Sequence, residues 1–424
     1  MNIAFYTLGC KVNQYETEAM REAFIKKGHT VVSDNAEFDA IVINSCTVTA
    51  ESDRKTRQTL HRFRKEHPEA IIVLTGCMVQ AFANESQALT DADIIAGNTD
   101  VLKIVTYVEQ FLENGERIFC VSEHGKKEQF NTPTITEFAE RTRAYIKIED
   151  GCDRFCTYCI IPSARGWVRS KPIKDIKAEA EELSKNGFIE IVLVGINLTS
   201  YGKGEDMNLC DAVDAVCEVD GIKRVRLGSL EPDHISDEML ERFKVQEKFC
   251  PQFHLSLQSG CDETLKRMNR HYDTAFYRDL VNRIRNTFSD AAITTDIMVG
   301  FAGESDEEFN KNLNFAKEIS FAKAHIFAYS RRKGTVAYNL PNQITKAEKS
   351  NRSRQMIDAT LKTETEFLNK YIGKSVEVLF ETENEGYTKN YCRVKVGSTE
   401  NCTGKILNVK ITSVENYTCI GEII

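Results

Sequence analysis

The sequence lacks three features that would place it at once in a particular class of protein. It has no apolar run near the length that spans a bilayer, and its first residues, MNIAFYTLGC, carry no basic segment like that of a secretory signal. It also lacks a positive net charge, since the formal charge is −8. We therefore expect a cytoplasmic protein that makes no contact with a membrane. The overall charge argues mildly against nucleic acid as a partner.

Cysteine, by contrast, is abundant, with 14 in 424 residues. In a reducing compartment, clustered cysteines indicate metal binding or catalysis rather than disulfides. Cys152, Cys156 and Cys159 stand together in the string GCDRFCTYCIIP. Three thiolates on one loop can hold three irons of a [4Fe–4S] cluster and leave the fourth iron free to bind a small molecule. A structural zinc site is the alternative, but zinc normally takes four protein ligands and no second Cys-x2-Cys pair lies nearby.

A second set of cysteines follows the strands of the predicted N-terminal domain, residues 1–112. Short apolar runs alternate there with helical patterns, which predicts an open parallel α/β sheet covered by helices on both faces. Cys10, Cys46 and Cys77 each come just past the end of a predicted strand. Because the carboxyl ends of parallel strands meet along one edge, we expect these thiols to converge. A second cluster with an open iron is the resulting hypothesis, with a zinc or redox site as the alternative.

The predicted elements of this domain are short. The strands are Ile3–Thr7, Ala40–Ile43, Ile71–Leu74 and Ile94–Ala96, and the helices cover about 13–27, 50–66, 78–88 and 100–113.

Residues 113–140 are polar and contain Gly115, Gly125 and Pro133, which indicates a linker between domains. The central domain is predicted over residues 141–369, and strands and helices alternate again over residues 141–330. Six predicted β/α units favour a partial or complete TIM-like barrel, whose functional site lies at the C-terminal ends of the strands. The loop with the three clustered cysteines follows the first of these strands and should lie on that face.

The other strand ends of this central domain carry residues that suit a ligand pocket. Each also has a structural interpretation, such as a turn glycine or a helix cap. Asp296 has no such simple structural interpretation, because a carboxylate in the middle of an apolar strand needs a hydrogen-bond or ion-pair partner. The candidates for cofactor binding are Gly195, Asn197, Ser229, Glu231, Gln258, Asp296 and Gly300.

The last part of the chain changes character. Residues 345–370 have the pattern of one long basic amphipathic helix, and residues 370–424 contain short alternating strands that predict a small all-β barrel. Two stretches, 54–67 and 331–370, are locally basic. Such a face can bind phosphate even on an acidic protein, although a solvated helix face is the alternative. The predicted barrel strands are Ser375–Glu381, Tyr391–Val396, Lys405–Thr412 and Tyr417–Ile423.

The Cys-x3-Cys-x2-Cys spacing, with Tyr158 before the last cysteine, resembles the signature of the radical S-adenosylmethionine superfamily. The whole chain resembles its methylthiotransferases, in which an N-terminal methylthiotransferase domain, a radical core and a C-terminal TRAM domain follow one another. NSCTVT, TGCMVQ, IPSARG, RLGSLEP, LSLQSG and TDIMVGFAGE are similar to blocks of that family. The string LGCKVNQYETEAM is most similar to the bacterial enzymes that act on threonylcarbamoyladenosine in tRNA. Lys171 departs from the family pattern. The family often has an arginine at this position, and two nitrogens of its guanidinium could bind one phosphate together.

The resemblance implies two [4Fe–4S] clusters, held by the two cysteine trios, and S-adenosyl-L-methionine as the cofactor beside Tyr158. It implies the addition of a methylthio group to carbon 2 of N6-threonylcarbamoyladenosine in the tRNA anticodon loop, with an electron donor protein and a sulfur source as partners. No side chain is assigned as a general acid or base. We expect the two trios to face each other across one cavity. Candidate RNA contacts are Arg54, Arg57, Arg331 and Arg332.

Three alternatives stay open. The substrate could be another modified adenosine or a ribosomal-protein residue, and the chain could be a non-catalytic metal-binding adaptor.

Overall fold

The computed structural model describes residues 1–126, 128–131, 134–136, 138, 142–397 and 400–424. Pro133 of the predicted linker lies outside these residues. The N-terminal domain is a six-stranded parallel sheet in the order β2-β1-β3-β4-β5-β6, with an apolar core on each face. Its elements are β1 (Asn2–Thr7), α1 (Lys11–Lys26), β2 (Thr30–Val32), β3 (Ala40–Ser45), α2 (Ala50–Glu66), β4 (Ile71–Gly76), α3 (Cys77–Ala81), α4 (Ala83–Gln87), β5 (Ile94–Ala96), α5 (Lys103–Asn114) and β6 (Ile118–Cys120).

Helix α2 shows how the sequence sets these elements. Thr49 precedes it in an extended conformation, and its side chain accepts a hydrogen bond from the Ser52 backbone N–H over 3.1 Å. Acidic residues occupy the first turn and basic ones the last, which suits the helix dipole. The edge strands β2 and β6 were not predicted from the sequence. Strand β6 lies inside the predicted linker, so the sheet continues past residue 112.

The central domain is built from parallel strands that follow one another around a partial barrel, with a separate antiparallel pair formed by β8 and β9. One sheet has the order β11-β10-β7, the next β12-β13-β14-β15, and only Gly228 separates β11 from β12. Its strands are β7 (Arg143–Lys147), β8 (Glu149–Asp150), β9 (Arg169–Ser170), β10 (Glu190–Val194), β11 (Arg224–Leu227), β12 (Ser229–Leu230), β13 (Gln252–Leu255), β14 (Ala292–Val299) and β15 (Lys323–Ala328).

The helices of this domain cover the outside of the sheet and share one apolar core with it. Val12 and Tyr15 of α1 belong to the same core, so the N-terminal domain packs directly on the central one. The helices are α6 (Ile161–Arg165), α7 (Ile173–Lys185), α8 (Leu209–Cys217), α9 (Asp237–Lys244), α10 (Asp262–Arg267), α11 (Thr274–Thr287), α12 (Asp306–Ile319) and α13 (Lys346–Asn369), and 3₁₀ turns cover Leu198–Ser200, Pro232–His234 and Val336–Asn339.

The C-terminal domain is a closed five-stranded barrel in the order β16-β17-β18-β20-β19. It docks on the N-terminal ends of the core strands, where the buried Arg224 and Arg226 donate hydrogen bonds to its backbone carbonyls. Arg224 reaches the Tyr387 carbonyl over 2.9 Å, and Arg226 reaches the Lys389 carbonyl over 2.8 Å. The strands are β16 (Ser375–Phe380), β17 (Glu385–Thr388), β18 (Arg393–Val396), β19 (Ile406–Glu415) and β20 (Thr418–Ile423).

The predicted fold class is confirmed, with an open parallel sheet, a TIM-like partial barrel and a small β-barrel consistent with a TRAM domain. None of the helices in the described part of the chain combines the length and the apolar character that crossing a bilayer requires.

Candidate active site

The cysteine loop of the central domain lies between β8 and α6, at the C-terminal ends of the core strands. Its turns need unusual backbone angles. Phe155 has φ 49°, and Gly151 has φ 90°, where a β-carbon would lie 2.0 Å from the Trp167 carbonyl oxygen. The Cys159 backbone N–H donates to the Cys156 carbonyl over 2.9 Å, which closes the loop.

The three thiols of this loop lie close enough to influence one another. Burial, followed by the nearby Cys156 thiol, raises the pKa of Cys159 to about 12. Burial also raises the pKa of Cys152, with Cys159 and Cys156 adding to the effect. Within the described ranges, no three His, Cys, Asp or Glu side chains are arranged to hold a single metal ion. Cys152, Cys156 and Cys159, here called the cage, are a three-thiolate ligand set that suits a [4Fe–4S] cluster with one open iron, whereas structural zinc normally takes four protein ligands.

Arg270, which was not predicted from the sequence, donates a hydrogen bond to a cysteine of this cage. Arg270 donates from one terminal nitrogen to the Cys156 Sγ over 3.1 Å, and from the other to the Glu231 carboxylate. Arg154 lies 3.7 Å from the same Glu231 carboxylate and binds Asp233 over 2.7 Å. Burial raises the pKa of Glu231, and the two arginines partly offset this effect. The predicted cofactor residue Glu231 therefore lies in a charged network beside the cage.

The second trio forms at the edge of the N-terminal sheet, where β1, β3 and β4 end side by side. Asn13 Oδ1 lies 3.5 Å from the Cys10 Sγ and 3.9 Å from the Cys77 Sγ. A β-carbon on Gly9 would lie 3.1 Å from the Cys46 Cβ. The structure thus brings the three thiols together, as the strand-end pattern predicts. Their role as metal ligands stays a prediction.

Burial and a neighbouring arginine act on the Cys77 thiol in opposite directions. Burial raises its pKa to about 12, while the guanidinium of Arg165 acts in the opposite direction. Arg165 is fully buried and donates from Nε to the Cys77 Sγ over 3.2 Å. It follows the cage loop directly, at the end of α6. One short helix therefore connects the two sets of cysteines.

A cavity of about 210 Å³ lies between the two domains. Its lining includes Tyr158 and Cys159 of the cage loop together with Val48 and Thr49, the residues that closely follow Cys46. The cage loop and the residues after Cys46 thus line one cavity, but Cys10, Cys46 and Cys77 are not among the described lining residues, so the expectation that the two trios face each other across it stays a prediction. The remaining lining residues are Ile160, Ile161, Gln258, Asp296, Met298, Phe327, Ala328, Tyr329 and Ser330.

Three of the predicted cofactor residues, Tyr158, Gln258 and Asp296, form part of this cavity wall. Gln258 has φ 64°, and its backbone is fixed on β14 by a hydrogen bond from its N–H to the Asp296 carbonyl over 2.9 Å. The Asp296 carboxylate lies 3.4 Å from His254 Nε2, which supplies the partner that a carboxylate in an apolar strand needs. Tyr158, Gln258 and Asp296 are thus placed for ligand contact, and that role stays a prediction.

The other four predicted cofactor residues have local structural roles and do not belong to the described lining of the cavity. A β-carbon on Gly195 would lie 2.6 Å from Glu149 Oε2, which also accepts a hydrogen bond from the Asn197 N–H over 2.7 Å. Ser229 is exposed at the start of β12. Gly300 has φ 68° and packs against Lys349. Whether these residues contact a cofactor stays a prediction.

The predicted RNA contacts divide into two groups. Arg54, Arg57 and Arg331 are exposed. Arg332 is buried, binds Asp53 over 2.8 Å and donates to Thr47 Oγ1 over 2.5 Å. The prediction that Arg332 contacts RNA is wrong, because its guanidinium is used in the contact between two domains.

Lys171, which stands where the family often has an arginine, is also buried and pairs with Glu179, so it offers no phosphate contact.

Comparisons with known proteins agree with this geometry. Residues 2–97 match the family described as Uncharacterized protein family UPF0004, and residues 146–316 match the Radical SAM superfamily. The chain is 37% identical over 420 residues to the threonylcarbamoyladenosine tRNA methylthiotransferase MtaB of Bacillus subtilis, with 96% of this chain and 93% of that protein covered. The MtaB protein of Aquifex aeolicus is also 37% identical, with 97% of this chain and all of that protein covered. This chain belongs to the radical SAM tRNA methylthiotransferases.

Relatives with another named activity and a more distant solved structure complete the comparison. The tRNA-2-methylthio-N(6)-dimethylallyladenosine synthase of Clostridium perfringens is 34% identical, with 99% of this chain and 96% of that protein covered. The radical S-adenosylmethionine methyltransferase TsrM of Kitasatospora setae has a TM-score of 0.58 at 12% identity, over 79% of this chain and 73% of that one. This likeness shows the fold alone. The methylthiotransferase is an enzyme of the MtaB type, with S-adenosylmethionine and [4Fe–4S] clusters as its cofactors.

Proposed function

We propose that this enzyme adds a methylthio group to carbon 2 of N6-threonylcarbamoyladenosine next to the anticodon of tRNA, with one [4Fe–4S] cluster on each cysteine trio. The observation that carries the proposal is the cavity between the two domains. Its lining includes Cys159 of the cage loop and also Val48 and Thr49, which closely follow Cys46. A base held in this cavity would lie beside the cage loop and beside the residues that follow Cys46. Such an arrangement suits a reaction that removes hydrogen and adds sulfur at the same carbon.

The proposed reaction requires different contributions from the cluster and from the residues around it. The cluster on Cys152, Cys156 and Cys159 would supply the electron that cleaves S-adenosylmethionine, which removal of hydrogen from an unactivated C–H bond requires. The residues of the chain position the reactants and exclude water. Arg270 and Glu231 hold the cage loop from behind, while Tyr158, Gln258 and Asp296 offer polar contacts at the cavity wall. The reaction also needs an electron donor protein, a sulfur source and a second S-adenosylmethionine as the methyl donor.

The mouth of the cavity has the composition of a nucleobase site. Val48 and Phe327 line it, and 56% of the surface of Val48 and 47% of that of Phe327 are exposed. Bases in RNA loops can leave the stack and bind against aromatic side chains. Phe327 lies at the C-terminal end of β15, on the same strand edge as the active site. We therefore assign the exposed Phe327 ring to stacking with the target adenine.

A basic surface borders this mouth. The Ala50 N–H donates to the Ser330 Oγ over 3.0 Å, which places the start of α2 against the cavity wall. Arg54 and Arg57 extend from the next turns of α2, and Arg331 follows Ser330. These exposed cations can bind the phosphates of the anticodon loop while the base enters the cavity.

Nucleoside mass spectrometry tests the substrate. The enzyme should be expressed in a bacterium whose tRNA contains N6-threonylcarbamoyladenosine without the methylthio group. The methylthio derivative is expected with the intact enzyme and should be absent with the matched Cys152→Ala and Cys10→Ala variants. Formation of methylthio-dimethylallyladenosine instead would support the activity named for the Clostridium relatives and overturn the proposed substrate. If neither product forms with enzyme that holds its iron and has an active reductant, the proposal of a tRNA substrate fails.

A further inference from the structure

The fully buried Arg165 contacts the N-terminal cysteine trio. Its Nε donates to the Cys77 Sγ over 3.2 Å, and one terminal nitrogen donates to Asn13 Oδ1 over 3.1 Å. The same Asn13 oxygen lies within 3.9 Å of the Cys77 and Cys10 sulfurs. Arg165 therefore contacts one thiol directly and reaches a second through one amide.

The rest of the guanidinium is fixed by carboxylates. Arg165 forms a two-point ion pair with Glu16, in which the Nη2–Oε2 distance is 2.9 Å, and Asp150 lies 3.5 Å from Nη1. Lys147 joins the same network, with its Nζ 2.8 Å from Glu16 and 2.6 Å from Asp150. Because the side chain is fully buried and held at both ends, the Nε–H cannot turn away from the Cys77 sulfur without breaking the ion pair.

This geometry has a direct electrochemical consequence. Hydrogen bonds to cysteine sulfurs, nearby charge and solvent exclusion are the main protein controls on the potential of an iron–sulfur cluster. A fixed donor and positive charge beside a sulfur ligand stabilise the reduced cluster, which carries one more electron. Burial strengthens the effect because water does not screen it.

We propose that Arg165 is a positioning residue that raises the reduction potential of the cluster bound by Cys10, Cys46 and Cys77. The inference rests on the proposed function, because it requires that this trio holds a cluster. Arg165 stands six residues after the last cage cysteine, at the end of α6, so the helix that follows the loop of one cluster carries the residue that tunes the other.

Redox titration of the reconstituted holoenzyme, followed by electron paramagnetic resonance, tests the role. The cluster on the N-terminal trio is identified by its persistence in a Cys152→Ala/Cys156→Ala/Cys159→Ala variant. At the midpoint potential of the wild-type cluster, Arg165→Gln should lower the ratio of reduced to oxidised N-terminal cluster about tenfold. For a one-electron couple this corresponds to a shift of about 59 mV toward more negative potential. The signal of the cage cluster should keep its midpoint.

Two variants separate tuning from structural damage. Lys147→Gln removes a buried cation from the same network but no hydrogen bond to sulfur, so it should shift the N-terminal cluster by less than Arg165→Gln. Arg165→Lys keeps the charge that Glu16 needs and loses the Nε–H donor, so it should hold the cluster and shift it in the same direction by a smaller amount. If Arg165→Gln does not retain a cluster, Arg165→Lys decides the question.

Three results would overturn the inference. An unchanged potential in both Arg165 variants excludes the tuning role, and equal shifts in Arg165→Gln and Lys147→Gln show a general charge effect. The third is a Cys152→Ala/Cys156→Ala/Cys159→Ala variant that binds no iron. In that case the two-cluster proposal fails as well, whereas the first two results leave it standing.

Discussion

Arg332 and Asp53 are 279 positions apart in the chain and form a buried ion pair, with Nη1 and Oδ2 2.8 Å apart. The pair connects α2 of the N-terminal domain to the segment after β15, close to the cavity wall at Ser330. The adjacent Arg331 is exposed and donates instead to the Tyr338 carbonyl over 2.7 Å. Two neighbouring arginines thus serve different purposes, one in domain contact and one at the surface.

Arg332→Ala should destabilise the protein, because it leaves the Asp53 carboxylate buried without its cation. Breaking such a pair from one side typically costs about 3–5 kcal/mol. Arg331→Ala, the matched control, should change the free energy of unfolding by less than about 0.5 kcal/mol. Urea denaturation of both variants, monitored by circular dichroism, measures the difference. Equal stability of the two variants would show that the buried pair does not hold the domains.

Arg57→Ala and Arg331→Ala should weaken binding of tRNA and leave the bound iron unchanged. Each phosphate contact that is lost should lower the slope of log binding constant against log salt by about one. Fluorescence anisotropy with an anticodon stem-loop RNA over a range of salt concentrations gives this slope. Lys185→Ala, which removes an exposed cation from α7, is the control. If it reduces the slope as much as the arginine variants do, the RNA surface is assigned to the wrong place.

Phe327→Ala should raise the KM for the RNA through the loss of base stacking, which is worth about 1–3 kcal/mol per base. Phe327→Trp should restore most of the affinity because it keeps an aromatic face. Phe119→Ala provides the comparison, since Phe119 is also exposed but lies on the edge strand β6. Steady-state kinetics with stem-loop RNA provide the measurement. A normal KM in Phe327→Ala would remove this residue from the substrate site.

Iron and sulfide analysis should find about eight irons in the anaerobically reconstituted enzyme, four for each cluster. Replacing Cys10, Cys46 and Cys77 by alanine should leave about four irons, and so should replacing the cage trio. Cys419→Ala removes a buried thiol of the β-barrel and should leave all eight. One or two zinc ions per chain in place of iron would instead support a structural metal protein.

Glu149 should make stability depend on pH. Burial, with one carboxylate oxygen left without a hydrogen-bond partner, raises its pKa well above the ordinary value. Above the unfolded-state pKa of about 4.3, the unfolded chain loses this proton while the folded protein keeps it, so stability falls as pH rises toward the folded-state pKa. The loss is at most about 1.4 kcal/mol per pH unit.

Glu149→Gln should remove this loss and stabilise the protein more at pH 8 than at pH 5. Chemical denaturation at both values measures the change. A constant difference between variant and wild type across this range would contradict the assignment.

The sequence was sufficient for most of the scaffold and for the convergence of the N-terminal thiols. Cys10, Cys46 and Cys77 could be placed together because the edge of a parallel sheet follows from the order of strands and helices. Arg165 and Arg270 could not be found in this way. Their contacts depend on the packing of distant segments, and Arg270 lies 114 positions from the cysteine that it contacts.

The errors have related causes. Arg332 has the sequence context of a basic surface, yet the docking of α2 buries it against Asp53. Strands β2, β6 and β17 were missed because each is only three or four residues long and carries polar or exposed positions. The single helix predicted over 78–88 is two short helices that meet at Phe82, whose φ of −133° is not helical.

The way in which Arg224 and Arg226 enter the C-terminal barrel limits how the chain can be divided. Both guanidinium groups are shielded from water and use main-chain oxygens of the barrel as acceptors, and Arg224 also donates to the Glu377 carboxylate over 3.0 Å. A protein truncated after α13 would expose the guanidinium groups of Arg224 and Arg226, which are buried in the intact chain. A foreign barrel could replace the native one only if its loops presented carbonyls at the same points. Core and barrel are therefore to be transplanted together in any chimera.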